Sequence, residues 1–203
     1  MARHYKKRIP KKVLSPSSSL SPLLIPEYYI IFEGVINKDA TQLLYNAIQK
    51  AIGQRAQKVI IFFSSLGGNI YEGFLLANVI RNSTVPIQIH ATNHIDSIAN
   101  VIYLSAKERS AESHAKFYMH GSSGGGGDIR ALEDDISAVK TNNTRIAYFI
   151  SENTNLKLDD VKSKMMTGTT ISAQEALQYG ITGQLIHREI PPRAPREEIV
   201  FIY

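Results

Sequence analysis

Cysteine is absent from the 203 residues, which excludes disulfides, thiolate metal centres and a cysteine nucleophile. No run reaches the ~18 apolar residues that a membrane-crossing helix needs. The pattern of a secretory leader is also missing. Leu20–Ile25 is interrupted by Pro22 and followed by Pro26, and no small-residue cleavage site follows an apolar run. A soluble, cytoplasmic protein is therefore expected, with no membrane partner. A concentrated basic surface is lacking too, although the formal net charge is +5. Eight of the 23 Lys and Arg residues stand in the tails, at Arg3, Lys6, Lys7, Arg8, Lys11, Lys12, Arg193 and Arg196. The body is close to charge balance, and a basic tail reads as a solvated arm, so nucleic acid is not an expected partner.

What is present suits one globular domain: 43% of residues are hydrophobic and 20% charged, enough to bury a sizeable core. Residues 1–27 are rich in Lys, Ser and Pro and read as a flexible basic arm. The domain is expected over 28–190, with a proline-containing, charged tail over 191–203. Within the domain, strand and helix patterns alternate. YYIIFEG is a short strand closed by Gly34. Residues 39–53 carry Leu43, Leu44, Ala47, Ile48 and Ile52 at helical spacing. KVIIFF at 58–63 reads as a strand buried on both faces. A helix over 71–82, a strand over 85–91, a turn over 92–96 and a helix over 97–106 follow. Lys116–Met119 is a short strand ending at His120, and the glycine-rich turn 121–127 leads into a long helix from about 128 to 153. Shorter helices are expected over 158–166 and 173–179, with a last strand around Leu185, Ile186 and Ile190. This alternation predicts an α/β fold with a largely parallel sheet, and no internal repeat is visible.

Three strand-to-helix turns stand where α/β folds place their sites. SSLGGN, at 64–69, has paired glycines that free the backbone and bring N–H groups close to a ligand. It lacks the lysine and hydroxyl residue of a phosphate loop. NHIDSIAN, at 93–100, puts Ser97 at the start of an apolar helix, where a nucleophilic serine can be presented near the helix N-terminus; a plain helix cap by Asp96 or Ser97 accounts for the same pattern. FYMHGSSGGGG places His120 at a strand end before the glycine-rich turn. His90 and His94 are four residues apart, but Ala-Thr-Asn between them favours a strand and turn over one helix face, so no metal site is expected. Neither is any other cofactor.

The set of turns carries a resemblance that no single turn does. A Gly-Gly turn, a serine at a strand–helix junction and a histidine after the next strand, spread over roughly residues 30–190, resemble the Clp protease proteolytic subunits, a serine peptidase family. FFSSLGGNIYEGFLLANVI resembles the family's strand, glycine turn and helix, with Leu66 where proline is usual. HIDSIANVIYLSA resembles its nucleophile helix, with Ile98, Ala99 and Asn100 for the usual Met-Gly-Ala. AESHAKFYMH resembles the strand that brings in the histidine. GGGGDIRALEDDISAVKTNNTRIAYFISENTN resembles the glycine-rich loop and the long handle helix by which family rings meet. ISAQEALQYGITGQLI resembles the closing segment.

The resemblance implies a crotonase-like fold and acyl transfer to water, with Ser97 as nucleophile, His120 as base and the backbone N–H groups of Gly68 and Ile98 as oxyanion donors. It implies a peptide or unfolded protein as substrate, a homo-oligomeric ring or double ring, and an ATPase unfoldase or a second subunit of the same type as partner. Two features depart from the family. Its acidic third member falls, counted back from Ser172, on Gly168. Either a hydroxyl (Thr169 or Thr170) orients His120, or an acid from elsewhere (Asp159 or Asp160) does, or the site is crippled. Asp96 is not expected to substitute, because it neighbours the nucleophile. The basic, proline-broken N-terminus is also unlike the family segment that lines the axial pore. Two other readings stay open: a non-catalytic subunit that scaffolds active partners, and a crotonase-type acyl-CoA enzyme, which would have no use for a serine–histidine pair.

Overall fold

The computed structural model describes residues 24–122 and 129–201. Seven strands and six helices follow in the order β1 (Tyr28–Glu33), α1 (Lys38–Gly53), β2 (Val59–Ser65), α2 (Ile70–Arg81), β3 (Ile87–Asp96), α3 (Ala99–Ser105), β4 (Glu108–Ala111), β5 (Lys116–Met119), α4 (Ile129–Glu152), α5 (Leu158–Thr167), β6 (Thr169–Ser172), α6 (Ala173–Gln178) and β7 (Arg196–Val200). They form one sheet in the order β6-β5-β3-β2-β1-β7, with β4 also paired to β3. All pairings are parallel except β5 with β6.

Strand periodicity divides the interior in two. Tyr28, Ile30 and Phe32 of β1 and Val59, Ile61 and Phe63 of β2 enter the main core, against Leu44 and Ile48 of α1, Leu76 of α2 and Ile102 of α3. Their alternates Tyr29, Ile60 and Phe62 face the other way and are covered by Ile190 and Ala194. β2, wholly buried, is thus apolar from Val59 to Phe63 for the reason the sequence suggests, and ends in the buried Ser64 and Ser65. Helix starts are set by side-chain caps: Asn37 accepts from the Ala40 N–H at 2.8 Å and Asn69 from the Glu72 N–H at 3.1 Å. Ser172 and Glu175 form a capping box at α6.

Several elements depart from the sequence expectation. β3 does not stop at residue 91 but runs to Asp96, because it changes partner: Gln88–Ala91 pair with β4, and His94–Asp96 with β5. α3 starts at Ala99, two residues later than expected. The four-residue strands β4 and β6 are too short to leave a periodic signal. The strand expected near 185–190 is only a single bridge between Ala111 and Leu185, and the last strand instead lies in the charged tail, where β7 pairs with β1. At the other end, Ile25 bridges Ala56 and the Tyr29 hydroxyl donates to Glu27, so residues 25–27 touch the domain. The glycine-rich turn lies outside the described residues from 123 to 128.

Candidate active site

β3 and β5 end side by side, and the two residues that follow them are Ser97 and His120. Ser97 has φ 56, a left-handed conformation that costs a non-glycine residue about 1–3 kcal/mol and persists only where its surroundings hold it. The holding groups are visible. The Ser97 N–H donates to the Tyr118 carbonyl at 2.9 Å, and the Ser97 carbonyl accepts from the Asn100 N–H at 3.1 Å. The buried Asn100 amide also reaches the carbonyls of Ile95, Ser97 and Tyr118 at 3.0, 3.1 and 3.0 Å. One buried amide side chain therefore pins the end of β3, the serine and the end of β5. In the sequence Asn100 is marked only as a lone amide within IANVIYL. Ile98 is the N-cap of α3 and makes no side-chain cap bond, and neither Asp96 nor Ser97 spends its side chain on the helix terminus.

The Gly-Gly turn after β2 presses against this serine. Gly67 and Gly68 have φ 90 and 143. A Cβ on Gly67 would lie 2.7 Å from Ser97 Cβ, and one on Gly68 would lie 2.2 Å from the Ile36 carbonyl oxygen. The turn is fixed from its far side: the Ile36 N–H donates to Gly67 O at 2.8 Å and the Asn69 N–H to Ile36 O at 2.7 Å. Among the described residues, the N–H groups of Gly68 and Ile98 have no hydrogen-bond partner. The Ile98 side chain is buried against α2, where a Cβ on Gly73 would sit 2.2 Å from its Cγ1; glycine at 73 lets it in.

His120 is half-buried and stacks on Tyr118, with ring centroids 5.0 Å apart and planes 25° apart. Its Nδ1 lies 2.7 Å from the Gly121 carbonyl oxygen. A carbonyl can only accept, so in the neutral ring the proton sits on Nδ1 and the lone pair on Nε2. The loop is anchored to two helices: the Gly121 N–H donates to Met165 O of α5 at 2.9 Å, and the Ser122 N–H and hydroxyl donate to Asn143 Oδ1 of α4 at 2.8 and 2.9 Å. Among the described residues, no hydrogen bond joins Ser97 to His120.

Among the described residues, none of the four candidate third members is hydrogen-bonded to the ring. Thr169, opposite Met119 in the β5–β6 register, pairs its hydroxyl with that of Thr167 at 3.0 Å. Thr170 is exposed, opposite Tyr118. Asp159 and Asp160 are exposed in the first turn of α5, the end away from Gly168, and Asp159 lies 3.9 Å from Lys162. Gly168 closes α5 with φ 66. Asp96, opposite Tyr118 in the sheet, has one buried carboxylate oxygen without a partner, while the other lies 3.5 Å from His94 Nδ1. Burial pushes its carboxyl above the ordinary aspartate value, against the opposing pull of His94 and His120. His90 does not join His94: it is buried in a separate network with Ser110 and Glu112.

Comparison with known proteins follows the same outline. A family model described as Clp protease matches residues 17–189. The ATP-dependent Clp protease proteolytic subunit 2 of Gluconobacter oxydans is 22% identical over 182 residues, covering 87% of this chain and 82% of the relative. The subunit of the same name from Mycolicibacterium paratuberculosis is 23% identical over 188 residues, covering 89% and 93%. A solved structure of a ClpP1 point mutant from Listeria monocytogenes superposes with TM-score 0.72 at 20% identity, covering 79% of this chain and 91% of that one.

Proposed function

From the premise that the chain belongs to the Clp protease family, we propose that it is a serine-type peptidase that works through an acyl-enzyme on Ser97. The observation that carries the reading is the arrangement around that serine: a left-handed residue between two strand ends, beside a glycine turn, with two unpartnered N–H groups at Gly68 and Ile98. Ser97 Oγ attacks the substrate carbonyl as its proton passes to His120 Nε2. The Gly68 and Ile98 N–H groups hold the oxygen that becomes negative, and His120 then gives the proton to the leaving amine. Water repeats the sequence and releases the acid. The Gly121 carbonyl takes over one task of a triad carboxylate, fixing the histidine tautomer. Being neutral, it stabilises the imidazolium less than an acid does, so a slow enzyme is expected.

Assembly into rings of identical subunits, and service to an ATPase unfoldase or to a second subunit of its own type, belong to this reading. So does the division into an arm over 1–27, a domain over 28–190 and a tail over 191–203, with residues 25–27 and β7 docked on the domain. Among the described residues, no helix is long and apolar enough to cross a membrane.

Intact mass after treatment with a fluorophosphonate, on wild type and Ser97→Ala in parallel, tests the chemistry. A single adduct on wild type alone is expected. No adduct on folded, assembled protein would overturn the reading and favour the scaffold subunit, whose specific support is the lack of a carboxylate hydrogen-bonded to His120.

A further inference from the structure

β1 would be the edge of the sheet but for β7, which pairs with it in parallel. The segment leading into β7 lies over the second apolar cluster, where Ile190 and Ala194 cover Tyr29, Ile60 and Phe62. At the far end of β7, Phe201 seats on Gly34: a Cβ there would fall 2.9 Å from Phe201 Cδ2, so glycine leaves a socket that a side chain would fill. The segment that makes these contacts is itself weakly held. Among residues 190–201 only Ile199 is buried. Pro191, Pro192 and Pro195 have no N–H to give, and Arg193 is left-handed at φ 67. Among the described residues, the backbone of 190–195 bonds to the sheet only through the Pro195 carbonyl, which accepts from the Tyr29 N–H at 3.0 Å. After β7 the Phe201 N–H donates to the Glu33 carbonyl at 2.9 Å. The match to the Clp protease family ends at residue 189, so this segment is an addition to the part of the chain that the family shares.

We propose that β1 and the Tyr29–Ile60–Phe62 cluster form a docking face for an extended peptide segment, and that residues 190–201 are its occupant in cis. They act as a strap that opens and recloses while the rest of the domain stays folded. The face reads its occupant as strand addition does: the β1 edge pairs the backbone, and separate pockets take the side chains. The cluster takes an aliphatic residue at 190 and a small one at 194. The main core beside Phe32 takes an aliphatic residue at 199, and the Gly34 socket takes an aromatic at 201. A segment of another protein with this pattern meets the face only by displacing the strap, which its attachment to the chain holds at high effective concentration. Bared, the face would be a free strand edge beside apolar rings, a surface that folded proteins keep covered. The inference stands apart from the peptidase reading, since no step of it involves Ser97.

The test uses the full-length chain and a fluorescein-labelled peptide of its own residues 190–203, followed by anisotropy. Ile199→Asp with Phe201→Asp loosens the strap without shortening the chain. That variant is expected to bind the peptide at least about tenfold tighter than wild type does, and adding Gly34→Val closes the socket and abolishes the binding. On wild type, hydrogen exchange reads the opening directly. The Tyr29 and Phe201 amides bridge β1 and the strap, whereas the Val59 amide bonds to Pro86 O at 3.0 Å between β2 and β3. The first two are expected to exchange about 10²-fold faster than the third. Glu33 and Val200 are opposite each other in register and the chain has no cysteine, so Glu33→Cys with Val200→Cys reports which chain supplies the strap. A disulfide within one chain is expected, and it removes the fast exchange. Equal peptide binding by wild type and the loosened variant, binding that survives Gly34→Val, or Tyr29 and Phe201 amides as slow as Val59 would each overturn the proposal. So would a disulfide joining two chains, which would assign the strap to a second copy.

Discussion

The Tyr118 hydroxyl fills the space into which a side chain at residue 168 would grow: a Cβ built on Gly168 falls 2.8 Å from Tyr118 Oη. Glycine at 168 and tyrosine at 118 are therefore one arrangement, in which the aromatic residue that stacks on His120 takes the room a side chain at 168 would need. Adding the acid alone meets the hydroxyl, and does so at φ 66, where aspartate is tolerated at some cost. We expect Gly168→Asp to change the rate of fluorophosphonate acylation by less than about twofold, and Gly168→Asp with Tyr118→Phe to raise it about tenfold or more, as a carboxylate comes to support the imidazolium. Equal gains from the single and the double variant would show that the hydroxyl is no obstacle.

Gly67 offers a sharper test of the geometry around the serine. Any side chain there would strike Ser97 Cβ at 2.7 Å and the Asp96 carbonyl oxygen at 2.8 Å, from φ 90, and neither neighbour is a flexible side-chain end. Gly67→Ala should slow acylation of Ser97 about 10²-fold, the order of a displaced oxyanion donor. Gly53, by contrast, has no atom within 4 Å of a built Cβ, and Gly53→Ala should leave acylation unchanged and stabilise the domain by about 0.5–1 kcal/mol. If Gly67→Ala acylates at the wild-type rate, the turn is not part of the site.

These positions also show what a sequence can and cannot disclose. The glycine turn, the serine and the histidine were legible only as a set, through their order and the family resemblance it carries, since each alone allows a plain turn or cap; the buried β2 was legible from its apolar run. The support was not. Asn100 acts through three carbonyls that meet only after β3 changes partner, and Gly121 acts through a backbone oxygen, which carries no residue-specific signal. The contact of Tyr118 with Gly168 is a relation between residues 50 apart. β7 reads as REEIV, a charged segment, because only its inward alternate Ile199 is buried and the remainder faces solvent at the sheet edge.

Among the described residues, Arg109 has no acidic partner. Its guanidinium donates to the carbonyls of Ile181, Leu104, Ala106, Asn153 and Gly180 at 2.8, 3.4, 2.7, 3.3 and 3.1 Å, closing the C-terminal ends of α3 and α4 and the turn after α6. Cations belong at such termini, where carbonyls are left over. Replacing it by methionine keeps the packing of the stem but leaves these oxygens buried and unpaired. Arg109→Met should cost about 3 kcal/mol or more, measured by urea unfolding, whereas Arg193→Met in the exposed tail should cost nothing resolvable. A loss below about 1 kcal/mol would mean that water replaces the guanidinium.

Glu112 ties the segment after β4 to the far face of the sheet, and the tie depends on pH. One of its oxygens accepts from His90 Nε2 and His187 Nδ1, both at 3.1 Å, and from the Arg188 N–H at 3.3 Å. His90 is fully buried, and with Nε2 donating, its Nδ1 accepts from the Ser110 hydroxyl at 2.9 Å. Burial lowers the His90 pKa, with Glu112 opposing the shift. For Glu112, burial acts to raise the carboxyl, but the hydrogen bonds from His90, Arg188 and His187 outweigh it and hold it below the ordinary glutamate value. Both groups therefore bind protons more readily in the unfolded chain than in the folded one. Stability is then complete above the unfolded histidine value of ~6.5. It falls as pH drops through the interval down to the folded value, and again below the ordinary glutamate range of ~4.3. Calorimetry should show Tm declining from pH 7 to pH 5 in wild type. His90→Gln, which keeps a donor toward Glu112 but cannot titrate, should lower Tm at pH 7 and flatten the decline. A slope equal to that of wild type would place the acid sensitivity elsewhere; a flat wild-type profile over that interval would mean that His90 meets no penalty for its proton and that the clamp does not open with acid.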